Sequence, residues 1–216
     1  MKTKLCRAIK KYIKIILSLF FKLKYIKENI VIGENSLIFN TNIISKNFKK
    51  NNIIIGNNVT MKNCAFIFYG ENNNIKIHNG AKLYNITFWF EDNCNEIIIG
   101  EKTTFHGNCQ LAACEGTTIS IGKECMFSHD IYIRTSDSHS IIKNNKRINT
   151  AKNINIGNHV WIGMQCLILK GANIPNGCII GARSTISSSE MEANSIYVGS
   201  PAKIINKDII WKRERI

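Results

Sequence analysis

The sequence predicts an all-β fold, a parallel solenoid of about seven triangular coils, and three observations carry that prediction. First, the segment 155–187 reads NIGNHVWIGMQCLILKGANIPNGCIIGARSTIS, with isoleucine at Ile156, Ile162, Ile168, Ile174, Ile180 and Ile186. A period of six belongs neither to a helix, at 3.6, nor to a flat strand, at 2. It suits a coil of three short strands and three turns. Second, a small or slim residue lies two positions before the last five of these isoleucines: Val160, Cys166, Ala172, Cys178 and Ser184. Such residues fit where a corner leaves little room. Third, the rhythm extends backwards in triplets to Ile32.

The chain divides into three parts. Residues 1–30 form a basic amphipathic segment, 31–189 the solenoid, and 190–216 a C-terminal cap. In the first part, Ile9, Ile13, Ile16, Leu17 and Phe20 would share one helical face flanked by lysines. The run 15–21 is far shorter than the ~20 residues that span a bilayer, and no small-residue cleavage site follows it. Two readings stand side by side: an interfacial helix on an anionic membrane, or a helix that covers the open end of the solenoid or packs between subunits.

The inward sets expected along the solenoid are Ile32, Ile38, Ile44; Ile55, Met61, Ile67; Ile77, Leu83, Trp89; Ile99, Phe105, Leu111; Ile121, Phe127, Ile133; Ile156, Ile162, Ile168; and Ile174, Ile180, Ile186. Early coils each extrude a few polar residues at one corner, as loops do. The coil that starts at Ile121 extrudes far more, within 134–152: RTSDSHSIIKNNKRINTAK. A long excursion on an economical scaffold is where chemistry is expected. It carries Asp137, His139, Lys143, Lys146 and Arg147. After residue 189 the rhythm fades into a basic tail, read as a cap that ends in a short helix.

Net charge is +14, which points to an anionic partner: a phosphorylated cofactor, an acidic polymer or a membrane surface. No zinc finger, RNA-binding aromatic signature or P-loop accompanies the charge, so nucleic acid is not expected. The chain has eight cysteines but no C-x-x-C pair, so a structural zinc is not expected either. Cys109, Cys125, Cys166 and Cys178 occupy the small slot of the repeat and act as small hydrophobes. Reduced thiols and a cytoplasmic protein, with the membrane's inner face open through residues 1–30, are the expectation.

Ile-Gly pairs start at 32, 55, 99, 121, 156, 162 and 180, beside GNHVWIG at Gly157–Gly163 and GSPAKII at Gly199–Ile205. Over roughly Ile32–Ile205 these resemble the left-handed β-helix, hexapeptide-repeat acyltransferases, commonly trimers that use acetyl-CoA. CMFSHDIYIRTSDSHS at Cys125–Ser140, RIN at Arg147–Asn149 and the ending GSPAKII…IIWKR are most similar to bacterial polysialic acid capsule O-acetyltransferases. The resemblance implies an O-acetyltransferase that moves acetyl from acetyl-CoA directly to a hydroxyl of an anionic glycan, sialic acid or its polymer. It implies His139 as general base and Trp161 beside the acetyl group. Met164, Ala182, Ser187 and Lys203, with Trp161, would line the coenzyme groove, although Met164 and Ser188 depart from the family's usual serine and lysine. Asp137 either fixes the His139 tautomer or forms a turn, and His129 and His159 receive no role. Other acceptors, an O-antigen sugar or a nucleotide-linked amino sugar, fit the same machinery. A zinc hydratase would need closely spaced histidines that are absent here, and the WIG, the SPAKI and the D-x-H of the excursion argue against a non-catalytic scaffold.

Overall fold

The computed structural model describes residues 12–13, 16–21, 23–25, 29–45, 50–187 and 190–215. Short strands repeat in threes and stack coil upon coil into three parallel sheets, of seven, nine and seven strands. The first sheet runs from Asn29–Ile32 to Asn173–Ile174, and the third from Asn42–Ser45 to Thr185–Ile186. The second starts at Leu37–Phe39 and ends with Ile196–Gly199 and the antiparallel strand Ala202–Asn206. The result is a left-handed parallel β-helix of seven coils, with the hairpin Ile142–Lys143/Lys146–Arg147 standing off it.

Residues of one type stack on their equivalents in the next coil. Ile99 pairs with Ile121, Ile121 with Ile156, and Ile156 with Ile174. Phe105 and Phe127 stack with ring centroids 4.0 Å apart, adding aromatic contact to the buried area. The Ile-Gly pairs follow from the closeness of coils: a Cβ on Gly100 would lie 2.3 Å from the Gly122 carbonyl.

The corners explain the abundance of asparagine. Asn35, Asn58, Asn63, Asn85, Asn108 and Asn194 are among the many residues there with positive φ, a conformation that asparagine tolerates better than most. At one corner buried asparagines form a ladder: Asn73 N–H donates to Asn51 Oδ1 at 2.9 Å and Asn95 N–H to Asn73 Oδ1 at 2.8 Å. Each amide satisfies main chain that the turn leaves unpaired.

The structure corrects the expected inward set of the third sheet in the first three coils. Ile44, Ile67 and Trp89 do not face the interior; Phe66, Phe68, Phe88 and Phe90 do, each at most 2% exposed, with Ile43 packed against the core in the first coil. Ile43 pairs with Phe66, Phe66 with Phe88, and Phe88 with Leu111. From Met61 to Phe66 is five residues rather than six, and a slip of one exchanges the faces of a strand. The inward phenylalanines stack coil on coil, 5.1 and 4.7 Å between centroids.

Helical residues between 12 and 24 lie against the first coil. Phe21 is buried, the Ser18 hydroxyl donates to the Ser36 carbonyl, and the Tyr25 hydroxyl accepts from Ile43 N–H at 2.9 Å. This segment therefore covers the first coil; Ile9 lies outside the described residues. No described helix is long and apolar enough to cross a membrane. At the other end, 207–215 contains no helix, contrary to the expected short one. It runs back along the solenoid as an extended strap.

Candidate active site

The excursion leaves after Tyr132–Arg134 and returns at Ile154–Ile156. Its hairpin turns through Asn144 and Asn145, both at positive φ (50° and 56°), the pattern of a tight two-residue turn. Three ion pairs fasten it to the solenoid wall. Arg134 meets Glu91 at 2.6 Å and donates to the Ser136 carbonyl at 2.7 Å. Arg147 grips Glu115 through both nitrogens, at 2.5 and 2.7 Å, the planar two-point geometry that arginine favours. Lys170 donates to Asp137 at 2.5 Å and to the Asn149 carbonyl at 3.0 Å.

These contacts leave a mark on the acids. The Arg147 hydrogen bonds hold the Glu115 carboxyl below its ordinary range, and the Lys170 hydrogen bond does the same for Asp137. Burial pushes Glu91 up, but hydrogen bonds from Ser138, Cys114 and Arg134 outweigh it, and the net direction is down.

His139 sits in the middle of this framework with its main chain held at both ends. Its N–H donates to the Asp137 carbonyl at 2.7 Å, and its carbonyl accepts from Asn149 Nδ2 at 2.7 Å. The same amide nitrogen donates to Asp137 Oδ2 at 2.8 Å. The imidazole is exposed and makes no hydrogen bond among the described residues. Asp137 spends its carboxylate on Lys170 and Asn149, so it anchors the loop and does not set the tautomer of His139. Arg147 is likewise committed, which leaves Lys143, Lys146 and Lys152 as the excursion's exposed cations without an ion pair among the described residues.

Trp161 projects outward from the second sheet, 38% exposed, between Met126 and Ile179 of the adjacent coils. Trp211 of the C-terminal strap stands 6.0 Å away, tilted by 48°. Trp211 is buried: it stacks on His159 at 3.9 Å and its indole N–H donates to the His159 carbonyl at 2.9 Å. The His159 Nε2 atom lies 3.0 Å from the Trp211 carbonyl, which can only accept, so Nε2 carries the proton. Arg213 continues the strap by donating to the Cys125 carbonyl at 2.7 Å. Between strap and wall runs a groove of about 620 Å³, lined in part by Lys82, Lys102 and Thr104. His129 is occupied by its neighbour Asp130, at 2.8 Å.

Of the other residues expected at the coenzyme groove, Met164 and Ala182 occupy stacked corners. A Cβ on Gly163 would lie 2.6 Å from Ala182 N, and Arg183 N–H donates to the Met164 carbonyl at 2.8 Å. Lys203 is exposed on the last strand, paired with Val198, whose side chain abuts Gly181. Trp161, Met164, Ala182 and Lys203 thus follow one another over the last coils. Ser187 lies around the next side, in a recess shared with Thr185, Met191, Pro201 and Ala202.

The chain does not bring His139 and Trp161 together. The excursion leaves where the third sheet gives way to the first, and Trp161 stands on the second, the side of the prism opposite that corner. Sequence reasoning also missed Asn149, Lys170, Glu115 and Trp211. Lys170 and Glu115 act on partners 33 and 32 positions away, a distance that no local pattern reveals. Among the described residues no group of three or more His, Cys, Asp or Glu side chains gathers as a metal site.

No protein-family model matches the chain. It is 36% identical over 166 residues to the polysialic acid O-acetyltransferase of Neisseria meningitidis, covering 76% of each chain. It is 34% identical over 121 residues to that of Escherichia coli O1:K1 / APEC, covering 55% of this chain and 39% of that one. Among solved structures, the polySia-specific acetyltransferase NeuO superposes with a TM-score of 0.68 at 28% identity, over 86% of this chain and 90% of its own. The polysialic acid O-acetyltransferase OatWY gives 0.69 at 30%, over 86% and 93%. With this solenoid, its one long excursion and that extent of sequence identity, the chain belongs to the polysialic acid O-acetyltransferase family.

Proposed function

We propose that this chain transfers the acetyl group of acetyl-CoA to a hydroxyl of polysialic acid, with His139 as general base. The observation that carries the reading is the state of His139: main chain pinned by Asn149 and Asp137, imidazole exposed and uncommitted. A base must be fixed in place yet free to meet a proton. The neutral imidazole takes the acceptor's hydroxyl proton as that oxygen attacks the thioester carbonyl. The tetrahedral intermediate collapses, the carbon–sulfur bond breaks, and the CoA thiolate leaves and is protonated from the imidazolium. Trp161 would bound the acetyl group, and the exposed run Met164, Ala182 and Lys203 would follow the coenzyme, Lys203 meeting a phosphate as a point charge.

The working unit is inferred to be a homotrimer. Two facts favour it: His139 and Trp161 face away from each other in one chain, and Ile141, Ile142 and Ile148 stand 55–59% exposed on the excursion. A neighbouring copy would cover that apolar face and place the loop over its own second sheet. Lys143 and Lys146 suit a polyanionic acceptor, and the buried unpaired thiols suit a reducing, cytoplasmic compartment.

The test measures CoA thiol release with polysialic acid, free sialic acid, an uncharged glycan, or no acceptor. Release stimulated by polysialic acid, and lowered ~10²–10⁴-fold in His139→Ala, is the expected result. No stimulation by any glycan would instead favour a scaffold.

A further inference from the structure

We propose that the helical residues between 12 and 24 form a docking face for an anionic lipid bilayer. Successive residues of a helix step ~100° around its axis, which places Tyr12, Ile13, Ile16, Leu19, Phe20 and Leu23 within one arc of about 120°. All six are exposed, at 49–66%. The opposite side of the same helix is spent on the solenoid: Leu17 and Ser18 are half-buried, and Phe21 is buried against the first coil. The first coil thus holds the helix in place and leaves its apolar stripe turned outward. Phe20 borders a recess with Phe39, itself 47% exposed, so the apolar surface continues onto the solenoid.

Charge identifies the occupant. Residues 1–30 contain nine Lys and Arg against the single acid Glu28. An apolar stripe within so basic a segment complements a surface that offers hydrocarbon beneath negative headgroups. A second copy seated on the same stripe by a two-fold axis would bring eighteen cations together with two carboxylates, a repulsive arrangement. The stripe is far too short to span a bilayer, so the helix lies in the interface.

The experiment floats the full chain with vesicles of phosphatidylcholine alone and of phosphatidylcholine doped with phosphatidylglycerol. Flotation is expected with the doped vesicles only, weakened at least about tenfold when salt rises from ~0.1 M to ~0.5 M. Phe20→Glu combined with Leu23→Glu, and separately Leu19→Ser combined with Phe20→Ser, should abolish it. These side chains are solvent-exposed, so melting temperature and thiol release with soluble acceptor should be unchanged, which separates lost docking from lost fold. Absence of flotation of the unaltered chain overturns the proposal. So does flotation that survives both double substitutions, or a drop in sedimentation coefficient on substitution, which would show a second copy covering the stripe.

Discussion

Replacing Asn149 by aspartate should slow catalysis more than replacing it by alanine, although aspartate has nearly the native shape. The side chain is 9% exposed, and its Nδ2 supplies two hydrogen bonds, 2.8 Å to Asp137 Oδ2 and 2.7 Å to the His139 carbonyl. Its Oδ1 accepts from Ile141 N–H at 2.7 Å. Aspartate keeps the acceptor but turns an oxygen towards two acceptors. The bond to a charged partner is worth ~1.5–3 kcal/mol and the neutral one ~0.5–1.5 kcal/mol, so the held loop loses about 2–4.5 kcal/mol. At ~1.36 kcal/mol per factor of ten, that would bound the loss of correctly held His139 at about 30- to 2000-fold. Arg134–Glu91 and Arg147–Glu115 still fasten the loop, and the lower end of that range is expected for kcat. Steady-state kinetics with acetyl-CoA and acceptor is the assay. The KM for acetyl-CoA should change by no more than about twofold, since the loop lies apart from the Met164–Ala182 run. Asn149→Ala loses the same two bonds and the one from Ile141, but it adds no carboxylate; the repulsion of that new charge by Asp137 is what should place aspartate below alanine. If aspartate leaves kcat within about twofold of wild type, or if alanine proves worse, Asn149 does not position His139 electrostatically.

Acid should loosen the excursion before the solenoid. Glu91, Glu115 and Asp137 titrate below their ordinary values when the loop is held, so the released loop binds protons more readily. The stabilisation they provide is complete above the usual carboxylate pKa of about 4 and disappears as pH falls through the lower values of the held state. Pepsin cleavage within 137–149 should therefore accelerate below pH ~4 while the coils stay intact; equal cleavage of coils and loop would count against this. Burial raises the thiol pKa of Cys64, Cys109 and Cys125 to about 11 and that of Cys114 to about 12. Alkylation of the native protein at neutral pH should spare these and modify exposed Cys94, as peptide mass spectrometry would show. Phe105→Ala should cost ~3–5 kcal/mol of stability, since it breaks a 4.0 Å aromatic stack; a denaturation midpoint close to wild type would contradict that.

Much of the architecture was legible because a solenoid writes its geometry as a period. Seven triplets of apolar residues correspond to seven coils, and the longest interval between them corresponds to the one excursion. Reading failed where a coil kept its shape with a different count. Ile44, Ile67 and Trp89 satisfy the six-residue rhythm, yet Phe66 and Phe88 face inward, because the corner before them is one residue shorter. The site was legible only in part for a similar reason. His139 stands in a local motif, whereas its supports, Lys170 and Asn149, are joined to it by stacking of coils and return of the loop. The strap escaped notice too: Trp211 sits within a basic tail that looks solvated, and only its stack on His159, 52 positions earlier, gives it a place.

The separation of His139 from Trp161 follows from the same repeat, and from it we infer how the site is completed. A triangular coil presents three outward faces, and a loop extruded at the junction of the third and first points away from the second. With His139 as the proposed base and Trp161 as the proposed acetyl-holding residue on opposite sides of one prism, the two would meet when prisms pack side by side, the excursion of one over the second sheet of the next. That contact would be head-to-tail, so it would close into a ring or run on as a filament, and a ring of three is the closed form we propose. The excursion is suited to both tasks. Ile141, Ile142 and Ile148 offer the apolar surface that a neighbour would bury, while the pairs to Glu91, Glu115 and Asp137 keep the segment rigid before the neighbour arrives. Rigidity matters because a loop ordered only on assembly would spend contact energy on its own entropy. A base held in advance on one subunit would leave the interface free to do no more than bring it to the next subunit's tryptophan.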